Sequence, residues 1–103
     1  MLEFGLPQTT TSTIRRILTE MPAVEKAVIY GSRAKGNYRP GSDIDLTLFG
    51  SDLNLAVLGQ IAARLDESPI PYQVDLSLSD QIENVGLREH IERVGKVFYE
   101  RGR

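Results

Sequence analysis

Three aspartates in this 103-residue sequence stand where carboxylate chemistry can be expected: Asp43, Asp45 and Asp75. The segment Asp43-Ile44-Asp45-Leu46-Thr47-Leu48-Phe49 alternates acid or polar residues with aliphatic ones. On a β-strand, residues two apart project from one face, so Asp43 and Asp45 share a side. Carboxylates that close repel and raise one another's pKa. A divalent cation removes the conflict, and hard carboxylate oxygens suit magnesium. A lone Asp-x-Asp is more often a solvated turn or strand edge, so the pair needs support from its surroundings. That support lies upstream, where the run Ala27-Val28-Ile29-Tyr30 closes on Gly31-Ser32. Glycine permits close backbone approach, and N–H groups at a helix start suit phosphate oxygens. Cation ligands on one side and a phosphate cradle on the other describe a nucleoside triphosphate site.

These residues need elements to hold them. Ile14, Ile17, Leu18 and Met21 recur at helical spacing after the Thr9–Thr13 cluster, which predicts a first helix capped by Thr or Ser and ended by Pro22. Ala27–Tyr30 reads as a buried strand, and Ser32 to Lys35 as a short helix in a Gly-rich connection. After the Asp43–Phe49 strand, Ser51 or Asp52 can cap a helix reaching about Asp66, with Leu58, Ile61, Ala62 and Leu65 as its buried stripe. Tyr72 to Leu78 alternates again, placing Asp75 with Gln73 and Ser77 on the polar face. Asp80 with Glu83 resembles a capping box for a last helix striped by Leu87, Ile91 and Val94 and stopped at Gly95. Val97-Phe98-Tyr99 adds a short edge strand. The expectation is a single α/β domain over residues 1–103, a small mixed sheet flanked by helices. If the strand bearing Asp75 lies beside the one bearing Asp45, the three acids converge.

Composition narrows the partners. Twelve Lys and Arg against 14 Asp and Glu leave a formal charge of −2, without the basic excess that proteins bound to nucleic-acid backbone usually carry. Long DNA or RNA is therefore not the expected partner. There is no cysteine, which excludes disulfides, thiolate metal sites and cysteine nucleophiles. No apolar run is long enough to span a bilayer, and residues 1–8 lack the plan of a signal peptide, so the cytoplasm is the default expectation.

The string Gly31-Ser32-Arg33-Ala34-Lys35-Gly36, followed by Ser42-Asp43-Ile44-Asp45-Leu46 and later Val74-Asp75-Leu76, resembles the signature of the DNA polymerase beta-like nucleotidyltransferase superfamily. That signature is Gly-Ser, a gap of about ten residues, Asp-hydrophobic-Asp, then a third acid on a later strand. The resemblance covers nearly the whole chain and extends to the short, MNT-type members, many of which are the antitoxin partner of a HEPN-domain protein. It implies the polymerase beta-like fold and a transfer of NMP from ATP, or another NTP, to an acceptor. It further implies two Mg2+ ions on Asp43 and Asp45, with Asp75 completing the one that serves the acceptor hydroxyl. Gly31 and Ser32 would hold the terminal phosphates. Arg33, with Lys35 and Arg39 nearby, would add positive charge beside the nucleotide, although basic loop residues are more often simply solvated.

Other residues read more plainly. Tyr30 is expected in the core, Ser42 in a turn, and His90, far in sequence from the motif, on the surface. Three functional readings follow from the resemblance. The chain modifies a hydroxyl of a partner protein, a HEPN-type toxin, by adenylylation. Alternatively it neutralises its partner by contact, without catalysis. A small-molecule, aminoglycoside-type acceptor is a third reading, for which 103 residues leave little room unless a homodimer builds the pocket.

Overall fold

The computed structural model describes residues 2–102. In chain order the elements are α1 (Gln8–Thr19), β1 (Lys26–Tyr30), α2 (Ser32–Lys35), β2 (Ile44–Phe49), α3 (Leu55–Glu67), β3 (Val74–Leu78), a 3-10 turn (Ser79–Gln81), α4 (Val85–Val94) and β4 (Lys96–Glu100). The four strands form one mixed sheet in the order β3-β2-β1-β4. β1 runs antiparallel to both of its neighbours, while β2 and β3 are parallel and joined through α3. The small mixed sheet with flanking helices is the expected architecture, and β4 is the expected edge strand.

Alternation in β2 and β3 sorts the sheet into two faces. Ile44, Leu46 and Leu48 pair with Val74, Leu76 and Leu78 on the face that packs against α1 and α3, where Ile14, Leu18, Ile29 and Ile61 are fully buried. Each such side chain contributes roughly 1.5–3 kcal/mol of burial. A one-residue slip would turn these aliphatics to solvent and drive Asp45 and Asp75 into the core. The apolar face therefore fixes where the acids point. On the opposite face α4 covers β1, and its end at Gly95 fits so closely that an added Cβ would strike the Ile91 carbonyl and crowd Val28.

The helix starts differ from the sequence expectation. α1 begins at Gln8, after Pro7, with no side-chain cap. Thr10 and Thr11 instead face inward, at 2% and 1% exposure, and Pro7 supplies the carbonyl that receives their N–H groups. α3 is capped by Asn54, whose Oδ1 accepts from the Val57 N–H at 2.9 Å, while Ser51 is engaged by Glu25. α4 is capped by Asn84, which accepts from the Leu87 N–H at 2.9 Å, and Asp80 lies in the 3-10 turn ahead of it. In both helices an Asn carboxamide one residue before the first turn meets the orphan N–H groups better than the acids several residues upstream. No helix is long and apolar enough to cross a membrane, among the described residues.

Candidate active site

Sheet register brings the acids together. Asp45 on β2 pairs directly with Asp75 on the parallel strand β3, so both carboxylates leave the same face as adjacent neighbours. Asp43, one residue before β2, is exposed and adds its charge to the same cluster. Asp45 feels the arrangement most: its pKa is pushed up to about 6. Burial is the largest cause, followed by the charges of Asp75 and Asp43 and a side-chain interaction with Asp75. Charge clustered this way stays ionised at neutral pH only at a cost, which a bound cation would offset.

Among the described residues, no three His, Cys, Asp or Glu side chains stand arranged as a ready cage for a metal ion. The donor set nevertheless suits magnesium, which is commonly held by one or two carboxylates with substrate phosphates and water completing its shell. Asp43, Asp45 and Asp75 are the residues that would hold it.

Gly31 lies across the cluster from β3. Its φ of 74° and ψ of −155° belong to backbone space that side-chain-bearing residues rarely adopt. A Cβ here would overlap the Asp45 carboxylate oxygen. The turn thus favours glycine, and any side chain here would also displace the Asp45 carboxylate. Ser32 follows at once as the first residue of α2 and is half-buried. The Gly31 amide itself is committed elsewhere: it donates to Nε2 of His90 at 3.1 Å.

Two residues near the site depart from expectation. His90 is not a free surface residue. It reaches from α4 to Gly31, and its ring stands edge-on to Tyr30 at a centroid distance of 6.2 Å. Tyr30 is not in the apolar core either. It pairs with Asp45 across β1 and β2, and burial raises its phenol pKa, with the Asp45 and Asp75 charges adding to the rise. Ser77 on β3 lies close to that phenol and pulls the other way, although Ser77 Oγ reaches no partner in good hydrogen-bond geometry. The Asp45–Tyr30 pairing follows from strand register. Nothing in the local spacing around His90 pointed to Gly31, 59 residues away.

Arg33 is the third departure. It is 2% exposed, and its guanidinium is spent on main-chain carbonyls: Ser42 at 2.8 and 3.0 Å, Phe4 at 2.9 Å and Pro40 at 3.4 Å. Tyr38 and Tyr72 lie near it, each with its ring centroid 5.1 Å from Cζ. A nucleotide-binding role was expected of Arg33, and the structure shows its guanidinium turned inward onto these carbonyls. It anchors the loop that delivers Asp43, because five fixed donors match several carbonyls better than any other side chain could. Lys35 and Arg39 remain exposed nearby, and Ser42 does sit in a turn, its Oγ accepting from the Arg39 N–H at 2.8 Å.

The family described as Polymerase beta, Nucleotidyltransferase matches residues 12–103. The chain belongs to this nucleotidyltransferase family. Solved structures share the nucleotidyltransferase fold at low identity. One is a chain of a toxin–antitoxin crystal structure with AMP-PNP, at a TM-score of 0.71 and 22% identity, covering 88% of this chain and 73% of that one. Another comes from the MntA-HepT toxin–antitoxin, at a TM-score of 0.60 and 20% identity over 92% and 74% of the two chains. A third belongs to a tri-AMPylated Shewanella oneidensis HEPN toxin in complex with its MNT antitoxin, at 0.59 and 20% over 91% and 72%. No curated protein matches this nucleotidyltransferase by sequence.

Proposed function

We propose that this nucleotidyltransferase moves a nucleoside monophosphate, AMP from ATP, onto a hydroxyl of a partner protein, and that the partner is a HEPN-type toxin. The reading is carried by one observation: Asp45 and Asp75 are direct register partners, with Asp43 adjoining, beside the Gly31–Ser32 turn. The acceptor hydroxyl gives up its proton to solvent as its oxygen bonds to the α-phosphorus, the bond from that phosphorus to the bridging oxygen breaks, and pyrophosphate leaves. Asp43, Asp45 and Asp75 would hold two magnesium ions, which when bound supply charge neutralisation and an acidified acceptor hydroxyl. Ser32 and the turn before it orient the terminal phosphates, and the rigid β2–β3 pair keeps the carboxylates in one place. The protein acceptor is favoured by the toxin–antitoxin complexes that share this fold.

The test is to incubate the chain with magnesium, each of the four NTPs and the protein encoded beside it, then weigh that protein by mass spectrometry. A gain of one nucleotidyl group is expected with ATP. No gain with any NTP would rule out protein nucleotidylation.

A contact-only antitoxin is the second reading, and it differs from the first in needing none of the three carboxylates. The double substitution Asp43→Asn with Asp45→Asn separates the two. Loss of neutralisation supports catalysis, and full retention supports contact alone.

A further inference from the structure

We propose that His90 is the positioning residue of the triphosphate grip, acting through the Gly31 amide to hold the turn that presents Ser32. The inference rests on the reading that Ser32, presented by the turn at Gly31, receives the nucleotide's phosphates. His90 Nε2 accepts from the Gly31 N–H at 3.1 Å, so the imidazole is neutral there and carries its proton on Nδ1. Glycine is the residue least able to keep one conformation unaided. Gly31 nevertheless holds a φ of 74°, with the Asp45 carboxylate packed where a Cβ would stand. A turn at that position is defined by what its N–H and carbonyl bind. The carbonyl is held by the Lys35 N–H at 3.0 Å, and the N–H is held by His90.

His90 can serve because α4 is itself fixed. Asn84 caps its start, Gly95 seats its end against Val28, and the ring of His90 rests edge-on against Tyr30. Tyr30 immediately precedes Gly31 and pairs with Asp45. One side chain from the last helix thus braces the turn, and through the turn the carboxylate packed on it. Without the acceptor at Nε2 the half-buried amide loses its partner, and the turn gains alternatives in which Ser32 and Asp45 are displaced.

The experiment titrates magnesium-ATP into the wild-type chain, His90→Leu and His90→Gln, with melting temperatures recorded without ligand. Leu fills space but offers no acceptor, whereas the Gln carbonyl reaches about as far as Nε2. His90→Leu is expected to bind magnesium-ATP about ten-fold more weakly, the worth of one buried hydrogen bond, and His90→Gln to stay within about two-fold of wild type. Equal binding by wild type and His90→Leu overturns the proposal while leaving the nucleotide reading intact, and so does a His90→Gln as impaired as His90→Leu. A wild-type chain that does not bind magnesium-ATP defeats the nucleotide reading and this inference with it. Should His90→Leu fail to fold, nitrogen-detected NMR of the wild-type imidazole decides. A proton on Nδ1 supports the link, and a proton on Nε2 overturns it.

Discussion

Replacing Asp45 with Asn should make the metal-free protein more stable at neutral pH and leave it unchanged in acid. The sign follows from the titration of Asp45. Its carboxyl ionises near 3.8 when unfolded and at about 6 when folded. Between those values the folded state holds a proton that the unfolded state has lost, so stability falls as pH rises through this window and stays reduced above it. A displacement of about two pH units corresponds to at most about 3 kcal/mol. Asp45 is only partly buried, and solvent screening reduces the figure to roughly 1–2 kcal/mol. Asn keeps the shape but carries no charge, so the variant should recover that amount above pH 6. For a domain of about 100 residues, each kcal/mol is worth roughly 4–8 °C in Tm. Thermal unfolding by circular dichroism at pH 7.5, without divalent cations, should then show Asp45→Asn melting about 5–10 °C above wild type. At pH 4 the two should coincide within about 2 °C. A difference of equal size at both pH values would refute the reasoning, since no ionisation would then separate the two proteins.

The other predictions concern the same face and its supports. Magnesium with ATP should raise the Tm of the wild-type chain by a ligand-linkage increment of about 2–3 kcal/mol at a hundred-fold excess over Kd, and a shift of the same size in the Asp43→Asn, Asp45→Asn double variant would count against the metal assignment. Gly31→Ala should destabilise by about 1–3 kcal/mol and abolish nucleotide transfer, because its Cβ overlaps the Asp45 carboxylate; urea unfolding and an activity assay measure the two effects. Arg33→Met should cost roughly 2–4 kcal/mol by leaving the Ser42, Phe4 and Pro40 carbonyls without their donor. Arg33→Lys should restore little of it, and chemical denaturation of the three proteins decides. Thr47→Val should be neutral or stabilising by up to about 1 kcal/mol, since Thr47 Oγ1 is buried without a partner; a clear loss of stability would show that the hydroxyl is bonded after all.

Much of this protein was written in short-range patterns. A period of two along Asp43–Phe49 and Tyr72–Leu78 placed the acids opposite the aliphatics, because neighbouring side chains on a strand must point to opposite faces. Gly31-Ser32 ahead of a short helix is equally local, and so is the αβ element order with its edge strand Lys96–Glu100. The helix caps were harder to assign. Ser51, Asp52 and Asn54 are all competent, and only the place where the first free N–H falls selects Asn54.

Longer-range facts needed the assembled sheet. Strand pairing set Asp75 beside Asp45 and Tyr30 across from it, because register is settled by burial of the whole aliphatic face and not by any single strand. Arg33 looked like a phosphate ligand from its neighbours, yet packing turned it inward to bind carbonyls from Phe4 and the Pro40–Ser42 loop. His90 is the sharpest case. Its bond to Gly31 depends on where α4 docks against β1, and docking is decided by the summed fit of many side chains far apart in the chain. Local spacing determined which residues carry the chemistry; only packing decided which of them meet.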